Sequence, residues 1–297
     1  MKKLLCGVGI VAMLTFGFIS CEQVEIVRVG NSEMLEGDGV EVKFSISSIE
    51  QVSFEDEKVG TRAVDITNLC SRITLVFFQD GKKFKTINQK EMDDDFGTLQ
   101  TTLPAGEYKY VVIAHNGNGN PTVTSLEEIT FNSTVTMTDT FYYYGELNVT
   151  EPQELSLQLK RVVAMVRFVI TDNVPEDVKR IKFYYTGGSS TFNAVTGFGS
   201  KESRQTEYRD VDVTAYSGES YYDLYTFPHA TEDVIKLTVT AQTDDDDYAE
   251  RVFEGIPVKI NQITKYTGTF FGNIQKPGEF KVTMTTSDEW YEEELTY

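Results

Sequence analysis

Two histidines, three cysteines and two runs of aspartate are the residues of this 297-residue chain whose chemistry is most versatile. His115 ends an apolar run beside a Gly/Asn-rich loop, and His229 follows Pro228. Neither falls in an H-x-x-H or H-E-x-x-H spacing, which would set two imidazoles on one face, so no metal site is expected. Gly187-Gly188-Ser189-Ser190 is not the G-x-S-x-G of a nucleophile elbow, and Gly197 to Lys201 lacks the spacing of a phosphate loop; both read as turns. Asp93 to Asp95 and Asp244 to Asp247 carry hard oxygen ligands suited to calcium, but not the D-x-D-x-D-G spacing that distributes them around one ion. They read as solvated turns. No carboxylate pair stands out for glycosidic acid and base work. The expectation is a protein that is not an enzyme and needs no cofactor.

The aromatic clusters are the best binding signal. In a strand, neighbouring side chains point to opposite faces, so Tyr142 to Tyr144, Tyr184-Tyr185 and Tyr221-Tyr222 each send at least one ring outward. Such rings could stack on sugars or build a subunit interface; half-buried cross-strand pairing is the other reading. Asn132-Ser133-Thr134 and Asn148-Val149-Thr150 match glycosylation acceptors in form only.

The first 20 residues address the chain rather than fold with it. Lys2 and Lys3 form a basic start, Leu4 to Phe18 an apolar stretch, and Ser20 a small residue before Cys21. The apolar stretch is shorter than the ~20 residues a spanning helix needs. Phe18-Ile19-Ser20-Cys21 matches a bacterial lipobox, in which Cys21 is acylated and becomes the first mature residue; a plain signal peptide is the alternative. Each buried acyl CH2 contributes about 0.8 kcal/mol, so several chains together would hold the protein on a membrane. Losing residues 1–20 removes two lysines and moves the net charge from −19 to −21, which excludes nucleic acid as a partner. Cys6 leaves with the leader and Cys21 carries lipid. Only Cys70 remains, and the protein must be held by its core rather than by disulfides.

The elements that would position these residues are strands. Residues 21–39 read as a tether. Val40, Val42, Phe44 and Ile46 then alternate with polar neighbours as a half-buried strand spanning 40–49, followed by a polar linker over 50–62. Arg72 to Asn88 reads as a hairpin turned at Asp80-Gly81. Leu99 to Leu103, Tyr108 to His115 and Phe141 to Val149 complete a first sandwich over 40–151. A second, over 152–276, takes Leu155 to Thr171 broken at Lys160-Arg161, then Val178 to Tyr185, Tyr221 to Phe227, Val234 to Gln242, Tyr248 to Phe253 and Val258 to Phe271. Ser125 to Glu128 and Thr191 to Val195 are the best candidates for a helical turn. Over 277–297, Phe280, Val282 and Met284 alternate with polar residues as a strand outside the domain body, ahead of an acidic tail. The fold class is all-β, in two tandem sandwiches.

TFYYYGELNVT at Thr140 to Thr150, the run LKRVVAMVRFVITDNVPEDVKRIKFYYTGGSSTFNAVTGFGS from Leu159 to Ser200, LYTFPH at Leu224 to His229 and NQITKYTGTFFG at Asn261 to Gly272 resemble the fimbrillin superfamily, and within it the FimB-type fimbrial subunits, lipoproteins of type V pili. DGKKFKTIN from Asp80 and LPAGEYKYVVIAHNG from Leu103 extend the resemblance to the first half. It implies two transthyretin-like sandwiches in an exported, lipidated pilus or adhesion subunit, whose partners are other fimbrial subunits and host or bacterial surface glycans or proteins. It further implies a protease cut after Arg62, leaving Ala63 as the new first residue, and loss of the strand Val40 to Ile46. A strand from a neighbour, such as Phe280 to Met284, would then fill the groove. Arg62 as an ordinary linker residue, and Phe280 to Met284 pairing within their own domain, remain the alternatives. So does a monomeric surface lipoprotein that binds glycans through its tyrosines.

Overall fold

The fold is that of a computed structural model, which describes residues 39–51, 60–62, 66–131, 136–211, 219–272 and 281–285. The leader, Cys21, the tether before Gly39, Ala63, Phe280 and the acidic tail therefore lie outside the described residues. The strands are β1 (Val40–Gln51), β2 (Gly60–Arg62), β3 (Arg72–Gln79), β4 (Lys82–Lys90), β5 (Thr98–Leu103), β6 (Gly106–His115), β7 (Thr122–Val123), β8 (Ile129–Thr130), β9 (Thr140–Val149) and β10 (Gln153–Arg161). After them come β11 (Ala164–Ile170), β12 (Arg180–Thr186), β13 (Thr191–Asn193), β14 (Phe198–Gly199) and β15 (Gln205–Asp210). The last are β16 (Ser220–Thr226), β17 (Glu232–Gln242), β18 (Asp247–Lys259), β19 (Ile263–Gly268) and β20 (Lys281–Thr285). Among the described residues the only helical element is a 3-10 turn at Ile66–Asn68, so the protein is all-β.

The first core lies between two layers. One holds β1, β5 and β10; the other holds β4, β3, β6 and β9. β10 joins them, pairing with β1 along most of its length and with β9 only at Lys160 and Arg161. Val42, Phe44, Leu99, Leu103, Leu157 and Leu159 face Leu75, Phe77, Tyr110, Val112 and Phe141 across the gap. Asp80 and Gly81, at φ 51° and 73°, make the expected two-residue turn of the β3–β4 hairpin. β10 follows the boundary expected at 151/152, yet its partners are β1 and β9.

The second core is built the same way, between the sheets β16-β11-β19-β20 and β15-β12-β17-β18. Here the strands expected at Tyr248 to Phe253 and Val258 to Phe271 are divided differently. β18 runs on to Lys259 because Gly255, at φ 68°, bends the strand without breaking its ladder with β17; Asn261, at φ 62°, makes the real turn. Of the two readings of the C-terminal strand, outside the domain body or paired within its own domain, β20 follows the second: it pairs antiparallel with β19, covering what would be an open edge.

A third cluster fills the space between these two cores. Val76 and Phe78 on β3, Val111 and Ile113 on β6 and Tyr142 on β9 form its floor, and Ile129 and Phe192 pack onto them. Ile129 and Phe192 belong to a small sheet, β14-β13-β8-β7, whose strand β13 occupies part of the expected helical turn at Thr191 to Val195. Both cores belong to one compact unit, Gly39–Tyr297.

Candidate strand-exchange interface

β1 is an inner strand. It runs parallel to β10, with Phe44 opposite Leu155, and antiparallel to β5, with Phe44 opposite Leu99. Its alternation delivers Val42 and Phe44, both fully buried, and the half-buried Val40 and Ile46 to the first core. The Phe44 ring sits 5.7 Å from Phe77 and 5.0 Å from Tyr110. On the other face, Lys43 Nζ pairs with Glu154 at 2.6 Å, and Gln100 donates to Glu41. The ladder to β10 shifts between Ile46 and Ser48, where Ser47 Oγ donates to the Leu157 carbonyl at 3.1 Å. Fully burying a Val or Phe side chain is worth about 1.5–3 kcal/mol, so Val42 and Phe44 alone hold β1 by several kcal/mol beyond its ladders. A cut nearby would not by itself expel the strand; another strand must take its place.

Arg62 is the last residue of β2, which pairs back onto the end of β1 with Arg62 opposite Ile49. The segment read as a polar linker over 50–62 is therefore strand at both ends, because β1 reaches Gln51 and β2 begins at Gly60. Arg62 thus stands directly beside the strand that the resemblance marks for removal.

β20 is held differently. Val282 and Met284 lie opposite Tyr266 and Thr264 of β19, and among the described residues β20 is paired on one side only, where β1 is paired on both. The chain leading to it is pinned just upstream. Asp172 accepts hydrogen bonds from the backbone N–H of Phe270, Phe271 and Gly272 at 2.7, 2.7 and 2.6 Å. Arg251 Nε donates to the Phe270 carbonyl at 2.9 Å. Sequence reading missed this clasp, since a lone Asp after a strand carries no signal of partners about a hundred residues away.

The residues singled out for chemistry are scattered. His115 is buried; its Nδ1 accepts from the Gly117 N–H at 2.9 Å and its ring meets Phe131 edge-on. Burial, then the nearby Arg72 charge, pushes its pKa down to about 4, so it is neutral. His229, in the loop before β17, has its Nδ1 3.0 Å from Asp233 Oδ2 at the start of that strand. Cys70 is buried, its thiol 3.6 Å from the Ile66 carbonyl and its pKa pushed up to about 12, chiefly by burial, which makes it inert. Asp93 accepts from the Lys90 N–H at 2.8 Å, and Asp247 from Gln242 at 2.6 Å; the first aspartate run lies in a turn and the second in the bend that leads into β18. No described group of three His, Cys, Asp or Glu could hold a metal ion. Of the tyrosines, Tyr142, Tyr185 and Tyr222 are buried, Tyr143 stacks on Tyr110, and Tyr221 is exposed.

The described strands make an all-β fold whose inner strand β1 is seated between β5 and β10 in the first core. Residues 39–295 match the family described as fimbrillin-A associated anchor proteins Mfa1 and Mfa2, and the chain belongs to that family. No curated protein matches. Among solved structures it is similar to the fimbrial anchor protein Mfa2 from Porphyromonas gingivalis, with 9% identity, TM-score 0.46, and 88% of this chain and 99% of that one covered. It is also similar to a candidate adhesin from Bacteroides ovatus, with 16% identity, TM-score 0.47, and 73% and 82% covered.

Proposed function

We propose that this chain is a non-enzymatic fimbrial subunit of two transthyretin-like sandwiches, anchored through an acylated Cys21 and joined to neighbouring subunits by strand complementation. The observation that carries the reading is the seat of β1: an inner strand with Phe44 in the core, its far end paired with the short strand that bears Arg62. An uncut chain keeps both lipid and β1 and serves as the anchor. Cutting after Arg62 frees β1 to be displaced, together with the lipid, by a neighbour's strand that takes its seat between β5 and β10. β20, paired on one side only among the described residues, is the donor candidate. Membership of an anchor family favours the uncut fate for this chain.

Mass spectrometry of the mature protein from its native outer membrane tests this. The anchor fate predicts an N-terminus at an acylated Cys21, and the building-block fate an N-terminus at Ala63. A mature protein that begins at neither would overturn the reading.

A further inference from the structure

The outer face of the sheet β4-β3-β6-β9 is only partly covered. Along one stretch the small sheet buries Val76, Val111, Ile113 and Tyr142 beneath Ile129 and Phe192. Further along the same face the row Phe78, Lys109, Glu146 is aligned across the three strands β3, β6 and β9, and there the small sheet runs out. What remains is a cavity of about 670 Å3, walled on its far side by Ser125 to Glu127 and Val195. That volume lies within the range of roughly 300–1,000 Å3 usual for small-ligand sites.

Tyr144 lines this cavity, and of the three consecutive tyrosines it is the one that does: Tyr142 is covered by Phe192, and Tyr143 turns to the first core. Its half-buried ring packs at the margin of the inter-core cluster, so it is held in place while still reaching the opening. Phe78 and Leu126, both buried, supply the apolar floor, and the exposed Val195 forms the rim. The polar groups around the ring carry both signs. Lys109 interacts with Tyr144 and lies 3.5 Å from Glu146; Asp80, Glu107 and Glu127 surround them. Four carboxylates outnumber the one ammonium, so the lining repels an anionic guest; a cation is drawn to the carboxylates rather than to the ring, which has Lys109 beside it. A neutral ligand with many hydroxyls escapes the repulsion, finds donors and acceptors on several sides, and can lay an apolar sugar face on the Tyr144 ring.

We propose that this cavity is a binding site for neutral saccharide chains, with Tyr144 as its stacking platform. The site is independent of β1 and of strand exchange, so the subunit would carry it whether cut or uncut. The test is calorimetric titration of the purified mature chain with maltohexaose, mannohexaose, xylohexaose and chitohexaose, beside sialyllactose and a heparin hexasaccharide. At least one neutral probe is expected to bind, with the two anionic probes clearly weaker. Tyr144→Ala should weaken that binding by about tenfold or more. Val195→Trp, at an exposed position where folding is not at stake, should block the rim and weaken it similarly. Tyr221→Ala, far along the chain on an exposed ring, should leave it unchanged. Silence from all four neutral probes, equal binding of the anionic ones, or affinity indifferent to Val195→Trp would each overturn the assignment.

Discussion

The ring of Phe44 lies 5.0 Å from that of Tyr110, tilted at 57°, so that a strand contributed from one end of the chain packs against the middle of the facing sheet. This contact makes β1 a structural part of the first core rather than an appendage to it. Phe44→Ala should cost about 3–5 kcal/mol, measured as a lower urea midpoint, because the hole it leaves is walled by Phe77 and Tyr110 on strands that cannot collapse inward. A loss below 1 kcal/mol would mean that β1 contributes little to the core.

Arg161 and Asp139 form a two-pronged ion pair at 2.7 and 2.8 Å where the first core gives way to the second, and Arg161 also donates to Asn261 at 2.6 Å. Arg161 is buried, so Asp139→Ala leaves a cation in low dielectric and should cost about 3–5 kcal/mol. Replacing both, Arg161→Met with Asp139→Leu, should recover most of that loss. Chemical denaturation of the three proteins, arranged as a double-mutant cycle, measures it.

His115 makes stability depend on pH. Its folded pKa is lowered from 6.5 to about 4, so the folded state favours the neutral ring. The stabilisation is complete above pH 6.5 and is lost as pH falls toward 4, since the unfolded chain takes up the proton first. By pH 4 the loss amounts to about 3 kcal/mol. His115→Gln should lack this component, so the difference between the two proteins' urea midpoints should narrow or invert over that interval. Parallel pH profiles would show that His115 does not titrate as its burial requires.

Much of this fold was legible because its periods are local. The alternation at Val40, Val42, Phe44 and Ile46 reports a one-sided strand, and Asp80-Gly81 reports a hairpin, each within a few residues. β3 was harder to interpret: its run RITLVFFQ is buried on both faces, since Leu75 and Phe77 serve the first core while Val76 and Phe78 serve the cluster between cores. Nothing near it in sequence announces the second covering, which comes from Ile129 and Phe192 on short strands of a small sheet. The parallel pairing of β1 with β10 and the Asp172 clasp are equally long-range. The individual tyrosines at Tyr142 to Tyr144 could be ranked only once their three different surroundings were known.

The clasp at Asp172 should govern how readily β20 leaves. Asp172→Ala removes an acceptor shared by three backbone N–H groups, and hydrogen bonds to a charged group are worth about 1.5–3 kcal/mol each, less whatever water restores. Hydrogen exchange should show faster exchange at Phe270 to Gly272 and along β19, with β1 unaffected. Unchanged exchange on β19 would separate the clasp from the C-terminal strand.

Whether β1 can be exchanged is decided by cutting the purified chain with a trypsin-like protease and sizing the product by light scattering, with Arg62→Gln as the uncut control. Strand complementation predicts a folded fragment that begins at Ala63, has lost everything before it and runs as multimers, while the control stays monomeric. A fragment that remains monomeric, or that unfolds once Arg62 is cut, would contradict it.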